Sequence, residues 1–212
     1  YDLYFGKTYY WRVRAINAVD TSEWSEVRNF NTRDYVNLDY PTNGSAVWTG
    51  VTIDWYSHHS VDFYEYQVDT VNTFNSNILI EGQNAYINSN SSNSDTEKYL
   101  YDLYFGKTYY WRVRAINAVD TSDWSEIRTF DTRDYVSLNT PLNGALNQST
   151  SGFNLDWYAH SGVDYYMLEF DKSNQFNSPA LQQIENAYIN SSSSNSDTRH
   201  YTGTLDENTI YF

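Results

Sequence analysis

Apolar and polar positions alternate with a period of two in short segments. Val51, Ile53 and Trp55 alternate with Thr52 and Asp54, and Tyr64, Tyr66 and Val68 alternate with Glu65 and Gln67. Tyr109, Trp111, Val113 and Ala115 alternate in the same way with Tyr110, Arg112 and Arg114. This is the signature of strands with one buried face, and no 3.6-residue period competes with it. Phe153, Leu155 and Trp157, followed by Tyr166, Leu168 and Phe170, keep the pattern with other residues. That is what a packed sandwich core tolerates. Turn residues punctuate the segments at Pro41-Thr42-Asn43-Gly44, Phe105-Gly106-Lys107 and Pro141-Leu142-Asn143-Gly144. The spacing predicts about seven short strands per hundred residues, an all-β architecture of immunoglobulin-like sandwiches. Between the Asp120-Thr121-Ser122 turn and Phe130 the parity slips at Ile127, and a β-bulge or a bend is expected there.

The pattern also repeats at long range. Residues 1 to 36 return as residues 101 to 136 with only Glu23→Asp, Val27→Ile, Asn29→Thr and Asn31→Asp exchanged. NAYINSNSSNSDT from Asn84 returns as NAYINSSSSNSDT from Asn186, and Gly203 to Phe212 aligns with Tyr1 to Tyr10. A period of one domain suits a stalk or a multivalent binder better than an enzyme. The phase begins inside a copy. Two origins are expected for that: a window on a longer repetitive chain, or subunits that complete each other by exchanging strands.

Composition narrows the class. Hydrophobic residues make up 40% of the chain and aromatics 18%, enough for packed domains of this size. With 27 acidic against 13 basic residues the formal charge is −14, which opposes nucleic-acid binding and anionic membranes and favours solubility. No apolar run is long enough to span a membrane as a helix, so no direct insertion is expected from this segment. There is no cysteine, hence no disulfide or thiol chemistry.

Leu103-Tyr104-Phe105-Gly106-Lys107-Thr108-Tyr109-Tyr110-Trp111-Arg112-Val113-Arg114-Ala115 resembles the fibronectin type III pattern of a Leu, a turn, a corner Tyr and an alternating strand ending in Ala. Phe105 stands where that pattern usually has Pro. The resemblance implies that Tyr109, with Tyr9 and Tyr211 as counterparts, is a tyrosine-corner residue whose hydroxyl bonds nearby backbone. Thr121-Ser122-Asp123-Trp124-Ser125 resembles the segment before the last strand of such domains. It implies that Trp124 stacks over Arg112 and Arg114, and Trp24 over Arg12 and Arg14, as a cation–π ladder. The implied parse is strands F and G in residues 1–33, a complete domain in 34–133, and strands A to E with the start of F in 134–212. The linker is then little more than Arg33-Asp34 or Arg133-Asp134, with the next strand starting by Val36 or Val136, and copies would stack as a semi-rigid rod. The wording YYWRVRA, DTSxWSE and DxxxxFNS is similar to repeats of large secreted surface proteins of Bacteroidota, often exported by a type 9 route. That likeness implies an extracellular, cell-surface location as an adhesin, stalk or filament.

Candidate chemistry is sparse. No phosphate-binding loop, HExxH, GxSxG or EF-hand motif occurs. His58, His59, His160 and His200 lack partners at motif spacing, so no catalysis and no cofactor are expected. Asp69-Thr70-Val71-Asn72 and Asp171-Lys172-Ser173-Asn174 read either as Asx-type turns or as oxygen-rich calcium loops. Trp48, Tyr56, Tyr101 and Tyr110 read either as an exposed surface for glycans or a partner protein, or as cross-strand aromatics that stabilise a sheet. The Ser/Asn-rich stretches are either display loops or polar crossovers. Asn43, Asn90, Asn147 and Asn190 begin N-x-Ser/Thr sequons, and Asp69-Thr70-Val71 resembles an O-glycosylation motif of Bacteroidota. The partners expected are neighbouring copies, in the same chain or in identical subunits. An alternative is an accessory module of a secreted enzyme.

Overall fold

The computed structural model describes residues 2–58, 61–84, 96–160, 163–186 and 198–212. Strands and turns are the regular elements among them. The chain divides into two compact units. The first comprises residues 1–47, 52–100 and 107–132, and the second residues 48–51, 101–106 and 133–212.

In the first unit, β1 (Thr8–Trp11) and β2 (Arg28–Asn31) form an antiparallel hairpin in register Thr8↔Asn31 to Trp11↔Arg28. The sandwich follows. β3 (Ser45–Val47) runs parallel to β9 (Arg128–Thr132), and β9, β8 (Thr108–Ile116), β5 (Phe63–Asp69) and β6 (Ile80–Asn84) complete a five-stranded sheet in the order β3-β9-β8-β5-β6. The facing sheet pairs β4 (Val51–Asp54) with β7 (Glu97–Leu100), and a bridge from Leu38 to Trp55 adds a first strand in rudiment. Sheets of three and four strands in these orders, with a short extra strand parallel to the last, are the strand topology of an immunoglobulin-like sandwich.

The period-two pattern explains the core. Val51, Ile53 and Trp55 face inward from one sheet, and Tyr64, Val68, Tyr109, Trp111, Val113, Ala115 and Phe130 from the other, all buried. The Trp55 and Tyr64 rings meet edge to face at 5.5 Å across the sandwich.

The second unit repeats this arrangement with fewer strands. β10 (Leu138–Thr140), β11 (Asn154–Trp157) and β14 (Arg199–Tyr201) make one sheet, and β12 (Tyr166–Phe170) with β13 (Gln182–Asn186) the other. Trp157 and Tyr166 reproduce the edge-to-face pair at 5.4 Å. Phe212 exchanges two backbone hydrogen bonds with Asp171, 3.1 and 2.7 Å.

Two expectations change. Of the bulge and the bend expected before β9, the bulged strand is not formed: the segment is held beside β8 by the Ser122 and Ser125 hydroxyls. Strand pairing also resumes later than Val36 or Val136, at Leu38 and at Leu138. The Arg33-Asp34 connection is nevertheless anchored, because Val36 is buried and the Asp123 amide donates to the Asp34 carbonyl at 3.0 Å.

Candidate functional site

The most developed side-chain constellation lies on the outer face of β8. Alternation places Arg112 and Arg114 outward while Trp111 and Val113 face the core. The Trp124 ring lies under both guanidinium groups, 4.4 Å from Arg112 and 4.5 Å from Arg114, and Phe74 meets Arg112 from another direction at 4.1 Å. Arg112 Nε and Nη2 donate to Gln67 Oε1 at 3.0 and 2.7 Å, and Arg114 pairs with Glu65 at 2.5 Å. Burial favours the neutral Arg112 and the nearby Arg114 adds to that, so its pKa lies below the ordinary arginine value. Burial alone would raise the Glu65 carboxyl, but hydrogen bonds from Gln83 and Arg114 outweigh it and leave the group more acidic than usual.

What holds Trp124 in place is a pair of serines. Ser122 Oγ accepts from the Ala115 amide at 2.9 Å while the Ser122 amide donates to the Ala115 carbonyl at 2.9 Å. Ser125 does the same to Val113, at 3.0 and 2.8 Å. Each hydroxyl also donates to the next carbonyl, of Asp123 and Glu126. The segment therefore runs beside β8 with side-chain oxygens standing in for strand acceptors, which is why its parity slips without a bulge. The hairpin builds the same device: Ser22 on Ala15, Ser25 on Val13, and Arg12 and Arg14 at 4.3 and 4.6 Å over Trp24.

The corner tyrosines differ in surroundings. The Tyr9 hydroxyl accepts from the Tyr4 amide at 2.9 Å, and the Tyr211 hydroxyl from the Asp206 amide at 3.2 Å, five residues upstream in both cases. Tyr109 is buried and stacks on Phe130 with centroids 5.4 Å apart; Tyr9 stacks on Phe30 at 5.6 Å.

The four candidate ligand aromatics are not equally available. Tyr56 and Tyr101 are exposed, 55% and 65%, and the Tyr56 hydroxyl donates to Asp39 Oδ1 at 2.9 Å, a bond that raises its pKa. Tyr110 and Trp48 are only partly accessible, which corrects the expectation of open stacking platforms there. Trp48 instead packs against His160, with centroids 3.7 Å apart, and under Arg133 at 4.0 Å.

Asp69 is buried, and its carboxylate accepts from the Thr70 amide at 2.6 Å, the Ser76 amide at 2.9 Å and the Ser76 hydroxyl. Asp171 is held identically by Lys172 and Ser178. Burial opposes ionisation in both, yet the Ser76 or Ser178 hydroxyl and the amides prevail and keep both carboxyls below the ordinary range. The geometry is that of a closed Asx turn. Among the described residues no three His, Cys, Asp or Glu side chains gather as a metal-binding group. Asn43 Oδ1 accepts from the Thr129 amide at 2.8 Å; Asn147 is exposed with positive φ; Thr70 is half-buried. Asn90, Asn190 and His59, and most of both Ser/Asn-rich stretches, lie outside the described residues.

Sequence reasoning missed a recurrent aromatic–histidine contact. In the first unit Phe5, just before the hairpin, is 5% exposed and meets His58 edge to face at 5.3 Å. Its amide donates to Asp120 Oδ2 at 3.0 Å, and Asn117 Nδ2 donates to the Leu3 carbonyl at 3.2 Å. In the second unit the equivalent Phe105 lies 6.4 Å from the equivalent His160, which is 4% exposed and bonds the Tyr135 carbonyl through Nε2 at 2.9 Å. The signal was available: both histidines fall three residues after the core tryptophan, Trp55 or Trp157.

These features define an all-β chain of the immunoglobulin-like sandwich class carrying a structural Trp-Arg ladder. No protein-family model and no curated protein matches the sequence. Among solved structures, the FN1-FN3 domains of chicken CNTN1 are 18% identical with a TM-score of 0.36, covering 96% of this chain and 68% of theirs. The fn3 domain of human contactin 1 is 13% identical with a TM-score of 0.33, covering 47% of this chain and 75% of its own. A myokine structure is 19% identical with a TM-score of 0.31, covering 46% and 92%.

Proposed function

We propose that residues 1–33, 34–133 and 134–212 belong to successive copies of one domain and act as a non-catalytic, semi-rigid spacer in an extracellular surface protein, of the adhesin, stalk or filament kind found in Bacteroidota. The observation that carries this reading is the duplicated ladder: Trp24 and Trp124 lie within 4.3–4.6 Å of their arginines in both copies, above the same serine bonds. A device repeated in full, residue for residue, serves the architecture of each copy, which is the quantity a spacer multiplies. The formal charge of −14 adds mutual repulsion between neighbouring chains. Fold alone does not assign a function, so the test is physical. The natively isolated protein is weighed under denaturing conditions and imaged in its native form. The reading expects a chain far heavier than 24.8 kDa within an extended assembly. A mass near 24.8 kDa inside a filament would replace it with a strand-exchange polymer, and a compact particle would overturn the spacer. Exposure of Tyr56 and Tyr101 favours a second reading, docking of a glycan or protein partner. Loss of saturable binding in Tyr101→Ala on a glycan array would support it.

A further inference from the structure

We propose that the aromatic residue of the turn before strand F and the histidine that follows the core tryptophan form a latch by which each copy grips the next. The proposal rests on the tandem-copy reading and assigns that reading its joint.

Three observations converge. Phe5 and Phe105 are the same residue of two copies, and each meets the same histidine of the following copy, His58 or His160. Phe5 is buried and its amide is spoken for by Asp120, so the first contact is a packed one with fixed polarity. Phe105 is half exposed, and there Trp48 takes the inner place on His160 with Arg133 stacked upon it. The latch thus tolerates variation in which aromatic ring is innermost while keeping aromatic against imidazole. Beside each phenylalanine is a glycine at φ +60, and a Cβ on Gly6 would stand 2.7 Å from the Asp34 carboxyl, one on Gly106 3.1 Å from Asp134 Cβ. The following copy's aspartate therefore packs closely on each glycine, whose positive φ disfavours a side chain there.

The third copy departs at each of these places. Glu207 stands where Phe5 and Phe105 do, Asn208 where Gly6 and Gly106 do, and, counted from the Asn-Gly turn at 143–144, Gln148 where Trp48 does. Two rings and a bare backbone are replaced by polar side chains on one face, so that face is not built to grip a histidine-bearing copy in the same way. It marks residues 203–208 as the place where the run of like joints changes character.

The experiment uses the whole 212-residue chain and nuclear magnetic resonance. In the first unit, the amide of residue 5 exchanges slowly in the wild type; Phe5→Ala and His58→Ala should speed it at least about tenfold while the amides of Tyr64 and Val68 in β5 keep their protection. If either variant also loses β5 protection, His58→Gln provides the reading in a folded chain. In the second unit, His160 should titrate below 6.5, where burial and Arg133 hold it, and Trp48→Ala should move it back toward 6.5. Residue-5 exchange equal in wild type and folded variants, or a His160 titration indifferent to Trp48→Ala, overturns the latch. Wild-type X-ray scattering is recorded on the same samples. A compact wild type with an intact latch defeats the spacer reading alone, and an extended wild type with no latch signal defeats this proposal alone.

Discussion

The hairpin at residues 8–31 and its near twin at 108–132 carry almost one sequence and reach two degrees of order. Thr8–Trp11 pairs over four residues, whereas Thr108–Ile116 pairs over nine. Trp11, Val13 and Phe30 are 46%, 58% and 45% exposed; Trp111, Val113 and Phe130 are fully buried. Yet the Trp-Arg stacking, the serine bonds and the bridge from Ile16 to Thr21 or Ile116 to Thr121 are present in both. The turn, the ladder and the serine bonds are thus local properties, written within about thirty residues. Extension of the strand past Trp111 is not local: it coincides with β5, which pairs from Asp69↔Tyr110 to Phe63↔Ile116. A strand needs a partner on its open edge and a surface over its apolar face to persist.

The largest difference between the two segments is expected at the tryptophans. Trp111→Ala should cost about 3–5 kcal/mol in denaturant unfolding through the cavity it leaves, and Trp11→Ala no more than a small fraction of that. Equal costs would mean that the hairpin is packed as tightly as its twin. Next come the serines: Ser125→Ala orphans the buried Val113 amide and should cost about 1–3 kcal/mol, while Ser25→Ala leaves an amide that water can satisfy and should be nearly silent. A smaller effect, about 0.5–1 kcal/mol, is expected from Trp124→Leu, which keeps bulk but removes the ring under Arg112 and Arg114. Its check is the same unfolding curve beside that of Trp24→Leu. The mildest handle is acid. Because Asp69 titrates below its ordinary 3.8 when folded, the unfolded chain takes up protons first. Its contribution is fully present above that value and is lost as the pH falls through the lowered one, so the thermal midpoint of the sandwich should drop in that window. Asp69→Asn should flatten the drop.

Much of the fold was legible because its information is periodic. Val51, Ile53 and Trp55 against Thr52 and Asp54 state which face is inward, and the 100-residue return of YYWRVRA states that the architecture is tandem. The parity slip at Ile127 was legible as an irregularity, a bulge or a bend, but its cause was not. The sequence pattern records side-chain direction, not that a serine hydroxyl can replace a strand acceptor. Val36 reads as the start of a strand; its burial outside the strand pairing is a tertiary fact. The aromatic–histidine contacts were hidden for a related reason. His58 and Phe5 are 53 positions apart in the numbering, and no local period connects residues at that separation. Trp48 looked like an open platform because its partners, His160 and Arg133, lie far along the chain.

The most direct test is residue-resolved amide exchange of Val13 and Val113 within one 212-residue chain. Both amides donate to a serine hydroxyl at 3.0 Å, so local bonding is matched and only the surroundings differ. Val113 is expected to exchange only with global opening of the sandwich, at least about a hundredfold more slowly than Val13. Equal rates would contradict it, and would mean that local hydrogen bonding, not the partner strand β5, sets the order of this segment.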